Sequence, residues 1–312
     1  MRIVVTGGAG FIGSSFINYL KENYQCDILC IDKLTYAANK DNIKHKIEFL
    51  EKDICDVVVE DLGEYDYLVN FAAESHVDNS IKNGKPFVKT NVEGTFNLLE
   101  CARQNKSLKK FVQISTDEVY GDMADDYLCI NASANETHPI HPSSYYSATK
   151  AASDLLVLAA NRTFGLPYLI TRTCNNFGEH QHPEKFLPKI YQCIKNETEI
   201  PVYGDGKQIR QWIHVDDNVR IVADLMFDER ALNNTYNISS EIEYKNIDII
   251  NMVGEILGKE IKYKFVPDRL GHDKIYRLRM VALKTLHNVL GINKQLPYVF
   301  LNLKDYLKNL YK

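Results

Sequence analysis

Short β-branched runs alternate with stretches of helical period through the first half of the chain, and no other feature narrows the possible folds so far. RIVVT from Arg2, DILCID from Asp27, KIEFLEKD from Lys46, YDYLVNFAA from Tyr65, KKFVQIST from Lys109 and PYLITRT from Pro167 read as strands. Segments starting near Phe11, Asn91 and Tyr146 space their apolar residues at three and four and read as helices. Strand, helical crossover and parallel strand in repetition predict an α/β fold with a doubly wound parallel sheet, the Rossmann arrangement. An apolar content of 45% supplies the core it needs. Past Asn175 the rhythm changes, as Pro183, Pro188, Pro201 and the turn YGDGKQ break the chain into shorter elements. These predict a smaller α/β domain. IHVDDNVRIVADLMF reads as a helix returning to the main sheet, so the expected division is residues 1–177 with a segment of about 211–238, against 178–210 with 239–312.

TGGAGFIG sets Gly7, Gly10 and Gly13 between the first strand and the first helix. Glycines there permit a tight turn and let a pyrophosphate approach the helix N-terminus, where free amides and the macrodipole favour negative charge. Such a pattern alone is weak, but Asp32 closes the second strand 19 residues after Gly13. A carboxylate at that point accepts from a ribose hydroxyl and repels a 2′-phosphate, so NAD is expected rather than NADP. A loop acid that only ends the strand is the alternative. Asp53, in EKDICD, reads equally well as a neighbour of adenine and as a helix cap.

In SSYYSATK, Tyr146 and Lys150 stand four residues apart after the helix-start signals Ser143 and Ser144, which puts both on one helix face. An ammonium beside the phenol, with an oxidised nicotinamide near, favours tyrosinate and makes a base usable near neutral pH. Thr116, ending a strand upstream, can bond the same substrate hydroxyl. Strand ends near the switch in strand order open onto a ligand crevice, and both STD and NFAAES fall at such ends.

TGGAGFIG, YSATK and STDEVYG together resemble the extended short-chain dehydrogenase/reductase superfamily. AAESHVDNS, TNVEGT, TRTCNNFG, HPEKFLP, YGDGKQIRQWIHVDD and PDRLGHD resemble, within it, the nucleotide-sugar 4,6-dehydratases, from residue 1 to about 280. The resemblance implies a nucleotide-diphosphate glucose as substrate, with Tyr146 as base at the C4 hydroxyl assisted by Thr116 and Lys150. Asp117 is then the acid toward the C6 oxygen and Glu118 the base at C5, an adjacent pair of which one is held neutral and the other ionised. Without that chemistry the two acids would read as caps of the following loop. The resemblance adds Phe11, Ile12, Lys33, Leu34, Thr35, Ile54, Ala72, Ala73, Glu74, Thr90 and Asn176 to the NAD contacts. It assigns His76, Asn175, Lys185, Phe186, Pro201, Val202, Tyr203, Arg210, Asn246, Arg269 and His272 to the substrate, with the two arginines at the pyrophosphate. It also implies a homodimer paired through the helices near Asn91 and Tyr146.

Four positions depart from the family pattern: Tyr145 for a proline, Gln211 for an aspartate, Leu270 for the second proline of PDRPGHD, and Arg279 for an aspartate. They bear on the nucleotide end of the pocket, where dTDP and UDP are not separated. A 4-epimerase or a decarboxylase would share NAD, Thr116, Tyr146 and Lys150 but has no use for acids at C5 and C6; a non-catalytic NAD-binding module would need neither pair.

The net charge of -4, from 37 basic and 41 acidic residues, gives no nucleic-acid stripe and no membrane-attracted surface. No apolar run approaches the ~20 residues of a membrane span, and MRIVVTGGAG is unlike a signal peptide, so a cytoplasmic protein is expected. Cysteines 26, 30, 55, 101, 129, 174 and 193 form no C-x-x-C and read as buried thiols. His138 and His141 are flanked by prolines and read as solvated, with no metal expected.

Overall fold

The computed structural model describes residues 1–125, 132–288, 298 and 300–311. In chain order the strands are β1 (Arg2–Thr6), β2 (Asp27–Asp32), β3 (Glu48–Glu51), β4 (Tyr67–Asn70), β5 (Lys110–Thr116), β6 (Tyr168–Thr173), β7 (Asn175–Phe177), β8 (Ile200–Tyr203), β9 (Ile209–His214), β10 (Asn234–Ile238), β11 (Glu243–Lys245) and β12 (Tyr263–Val266). Seven of them make one sheet in the order β10-β6-β5-β4-β1-β2-β3, and each of its pairings is parallel. The strand order reverses between β1 and β4, so the crevice for a ligand opens at their carboxyl ends.

Burial on both faces explains why these strands are continuous apolar runs. Along β1, Ile3 and Val5 join one core with Phe16, Ile17 and Val219. Val4, pointing the other way, packs with Leu29, Leu68, Leu98, Phe111 and Val157. The first core is covered by the helices Phe11–Asn23 and Val215–Phe227, the second by Thr95–Gln104 and Tyr145–Phe164. The helix expected from Asn91 begins earlier, at Lys85, and its turns from Val88 to Gly94 are wound wide before it tightens from Thr95. Ile54 sits so close there that a Cβ on Gly94 would lie 2.5 Å from its Cδ1.

Beyond Asn175 lie two small sheets, β11-β9-β7 and β12-β8. They share a third core of Phe177, Leu187, Ile190, Trp212, Ile249, Val253 and Leu307. The chain passes straight from β9 into the helix Val215–Phe227, and β10 then adds to β6 at the edge of the large sheet. Lys110, buried in β5, donates from Nζ to the carbonyls of Leu225 and Met226, each at 3.0 Å, and fastens the end of that helix to the sheet.

Among the described residues no helix is long and apolar enough to cross a membrane. The six described cysteines are free, five of them buried and Cys55 half-buried; Cys129 lies outside the described residues. His141 is exposed, but His138 is half-buried with its ring edge-on to Tyr120, so it is not simply solvated.

Candidate active site

A cavity of about 300 Å³ opens at the switch point. Its floor is the glycine turn. Gly7 has φ +68°, and a Cβ there would lie 2.5 Å from the Ala72 amide nitrogen; a Cβ on Gly13 would lie 2.3 Å from the Gly7 carbonyl oxygen. Both positions therefore require glycine. No side chain caps the helix Phe11–Asn23 at Gly10, so its first amides face the cavity lined by Gly7, Gly10, Phe11, Ile12 and Gly13. Asp32 is buried behind this turn, accepting from the Ala9 amide at 3.0 Å and the Leu34 amide at 2.8 Å. It thereby holds Leu34 in a left-handed conformation, φ 53°, and presents Thr35 to the cavity. Burial raises its pKa despite both amide bonds. A dinucleotide fits this floor: the uncapped amides suit a diphosphate, and each Asp32 oxygen keeps a lone pair for a ribose hydroxyl.

Ala72, Ala73, Asn175 and Asn176 line the same cavity, and the buried Oδ1 of Asn176 has no partner. Lys33, Asp53 and Thr90 lie apart, around a second opening of about 840 Å³. There Lys33 Nζ donates to Thr90 Oγ1 at 2.8 Å and approaches Glu74 at 3.5 Å and Asp53 at 3.7 Å. Asp53 accepts from the Cys55 amide at 3.0 Å and so closes a turn; the helix-cap alternative is not met, as the next helix starts only at Val59. Ile54 is fully in the core and lines neither cavity.

At the other wall β5 delivers Thr116, whose Oγ1 donates to Asp117 Oδ1 at 3.1 Å and accepts from the Glu118 amide at 3.3 Å. Ser144 caps the helix Tyr145–Phe164 through a reciprocal pair with Ser147, which fixes the start of the helix and so aims Tyr146 and Lys150 into the cavity. Lys150 Nζ donates to the Ile114 carbonyl at 2.6 Å. Burial pushes its ammonium down to about 8, with Asp154 opposing. Burial and the Glu118 charge raise the Tyr146 phenol, and its bond with Thr116 works against them.

The two acids face different surroundings. Burial and the neighbouring Glu118 push Asp117 up to about 7, and its Oδ2 is buried without a partner. Burial raises Glu118 as well, but Arg269, Arg210 and Lys185 all pull it back. Burial thus favours the protonated form of Asp117, while the three cations favour the ionised form of Glu118.

Of the substrate-side residues, Asn175 and Lys185 line this cavity, while His76, Tyr203, Arg210, Arg269 and His272 are not part of its lining. Arg269 Nη1 lies 3.5 Å from Asp78 Oδ1, and Tyr203 donates to Asp78 Oδ2 at 3.1 Å. His272 contacts Asp268 at 2.6 Å, and burial with Arg269 beside it drives the imidazole down to about 4. Arg210 is buried, stacked 4.1 Å from the Tyr276 ring centroid and donating to the carbonyls of Ile209 (2.8 Å) and Asp273 (2.7 Å). Lys185 donates to the Ser75 carbonyl at 3.0 Å and lines the main cavity. His76 sits 3.8 Å from Glu184. Val202 and Phe186 pack in the third core, Pro201 is exposed beside them, and Asn246 donates its amide to the Gln208 carbonyl at 3.1 Å and its Nδ2 to Gln208 Oε1 at 3.4 Å.

Sequence reasoning passed over Asp78, Glu184, Asp273 and Tyr276. Glu184 lines the cavity and accepts from Tyr36 at 3.0 Å, and Tyr276 donates to Asp273 at 2.5 Å with Glu118 near enough to raise the phenol. The presence of Asp78, Glu184 and Asp273 inside HVDNS, HPEKFLP and PDRLGHD was the available signal; Tyr276 lies three residues past the last of these. Gln211 has a plain structural use, accepting from the Leu278 amide at 2.8 Å and donating to its carbonyl at 3.3 Å. An aspartate could not make the second bond. Tyr145 is 64% exposed and covers Gly84, and Leu270 is 78% exposed. The exposed Arg279 uses its backbone, giving its amide to Ala134 at 2.8 Å; nothing in the structure explains its side chain.

A family model for the NAD dependent epimerase/dehydratase family matches residues 3–239. The low-salt glycan biosynthesis protein Agl12 of Haloferax volcanii is 45% identical, over 92% of this chain and 92% of that protein. The dTDP-glucose 4,6-dehydratase of Haemophilus influenzae is 39% identical, over 96% of this chain and 94% of its own. Among solved structures, DesIV, a dTDP-glucose 4,6-dehydratase from Streptomyces venezuelae crystallised with NAD, matches with a TM-score of 0.88 and 37% identity, covering 99% of this chain and 95% of that one.

Proposed function

The chain belongs to the NAD dependent epimerase/dehydratase family, and on that premise we propose that it is a nucleotide-sugar 4,6-dehydratase, an NAD-dependent lyase that converts dTDP-glucose to its 4-keto-6-deoxy product. Bound NAD would supply a hydride acceptor for C4 of the sugar and a hydride donor for C6, so that water is lost with no net redox change. The glycine turn and the uncapped helix at Gly10 would hold its diphosphate, and Asp32 would accept from a ribose hydroxyl. Tyr146, with Thr116 bonded to it and Lys150 supplying positive charge, receives the C4 hydroxyl proton. A ketone at C4 acidifies the C5 proton, which Glu118 takes while Asp117 protonates the departing C6 oxygen; Glu118 returns a proton to C5 as C6 is reduced.

The observation that carries this reading is the adjacent pair Asp117 and Glu118 lining one cavity with Tyr146 and Lys150, Asp117 with Oδ2 buried and unpartnered, Glu118 acted on by three cations that favour its ionised form. An epimerase or decarboxylase has no work for such a pair. Arg269, Arg210 and Lys185 offset the substrate diphosphate; Asp78 orients Arg269 for it. We extend the proposal to a homodimer, since Phe96, Leu155 and Phe164 stand more than half exposed on the two helices that would pair, and to a reducing, cytoplasmic setting, in which the six described thiols stay free.

The test is incubation of the purified protein with dTDP-glucose and, separately, UDP-glucose. A 4-keto-6-deoxy product from dTDP-glucose is expected; a C4 epimer, or no turnover with NAD bound, would reject the reading.

A further inference from the structure

Behind the reacting groups lies a buried charged chain that the proposed reaction does not use. Asp154 stands one helical turn after Lys150 on the helix Tyr145–Phe164 and has no solvent exposure. Lys150 Nζ donates to the carbonyl of Ile114, and Ser115, the next residue of β5, donates to Asp154 Oδ2 at 3.0 Å. Ammonium and carboxylate are thus laid against consecutive residues of one strand. From β6, Arg172 Nε donates to the same Oδ2 at 2.9 Å, and its Nη1 donates to Tyr120 Oη at 2.8 Å. Tyr120 in turn donates to Asn237 at 2.8 Å. Asp154 Oδ1 has no hydrogen-bond partner.

We propose that Asp154, held by Arg172, is a positioning residue for Lys150: it is the negative charge that keeps the ammonium protonated beside Tyr146. The inference rests on the proposed function for what Lys150 does, and goes beyond it in saying what keeps Lys150 able to do it. A fully buried ammonium with one carbonyl for company would shed its proton, since desolvation disfavours the charged form. Asp154 is the opposing influence on Lys150, against burial that brings it to about 8. Burial raises Asp154, and Arg172, which donates to its Oδ2, is the first influence favouring its ionised form in turn. The other charged or titratable groups near this chain are Tyr120, on which Glu136 acts, and Asp117 and Glu118, which act on Tyr146 from the turn after β5; from the wide-wound turns Asn91 donates to Thr149 Oγ1 at 2.9 Å.

The experiment is an NMR titration of lysine side chains in the NAD-loaded protein, with Lys150→Met to identify the signal. Asp154→Asn should lower the pH at which Lys150 loses its proton by about one unit or more, and the alkaline limb of C4 oxidation should move down with it. Asp154→Glu should keep the wild-type value. Asp154→Asn leaves Arg172 buried and unpaired, which threatens folding, so the double variant Asp154→Leu/Arg172→Met is the companion; it should shift Lys150 in the same direction. An unmoved Lys150 in either folded variant overturns the inference, because a purely structural salt bridge would change stability and leave the titration alone. The titration uses no sugar substrate. Failure of the proposed function would instead appear as wild-type protein that titrates as expected and forms no product.

Discussion

Replacing Asp117 with asparagine should stabilise the protein, and by an amount that depends on pH. Its carboxyl has an ordinary value of 3.8 and is raised to about 7 in the fold, chiefly by burial and then by Glu118. A raised carboxyl binds its proton more tightly in the folded state, so its contribution is neutral below the unfolded value and grows unfavourable as pH climbs toward the folded one. Each tenfold change in protonation is about 1.4 kcal/mol, so ionised Asp117 costs the fold about 4 kcal/mol above pH ~7. Asparagine carries no charge and still accepts from Thr116 through Oδ1, as Asp117 does at 3.1 Å. Its amide takes the place of Oδ2, which has no partner, and that adds a fixed offset at every pH. The diagnostic is therefore the slope: the stability gap between Asp117→Asn and wild type should widen by about 3 kcal/mol between pH 5 and pH 8, measured by urea unfolding. A gap that does not change with pH would refute the raised carboxyl and, with it, the neutral acid. The same substitution should abolish dehydration, so the site holds a group that the fold is better off without.

Tyr146→Phe should slow C4 oxidation by about 10² to 10⁴, read as single-turnover nicotinamide absorbance; an unchanged rate would remove Tyr146 as the base. Gly7→Ala places a Cβ 2.5 Å from the Ala72 nitrogen at φ +68° and should release NAD on gel filtration and cost at least about 1–2 kcal/mol of stability, whereas retention of both would show that the turn can yield. Lys110→Met strips the carbonyls of Leu225 and Met226 of a buried donor and should cost about 2–3 kcal/mol in urea unfolding. A loss below about 0.5 kcal/mol would mean that water replaces the ammonium.

The parallel sheet was legible because each strand is apolar on both faces: Val4 and Val5 point to different cores and both are fully buried. The glycine turn and Y-x-x-x-K were legible because spacing alone fixes them on a turn and on one helix face. The return of the chain at β9 was legible only as a helix, since the pairing of β10 with β6 joins residues 65 positions apart, as in Asn234 with Leu169. Electrostatics were least readable. STDEVYG offers two like carboxylates, and only the fold puts Arg210, Arg269 and Lys185 near Glu118 while burying Asp117 completely. For the same reason Asp78, Asp273 and Tyr276 went unnoticed, as each gains its partner from a loop distant in sequence or from a turn of irregular shape. Arg210, expected at a phosphate, also gives Nη1 and Nη2 to the carbonyls of Ile209 and Asp273, which no periodicity could indicate.

The division of labour between the acids is tested most directly with Glu118→Gln, mixed rapidly with dTDP-glucose in deuterated water. The absorbance of reduced nicotinamide should rise once and stay, and the sugar should keep its C5 proton unexchanged, because C4 is oxidised and nothing then removes that proton. Normal turnover, or deuterium at C5 at the wild-type rate, would contradict Glu118 as the base.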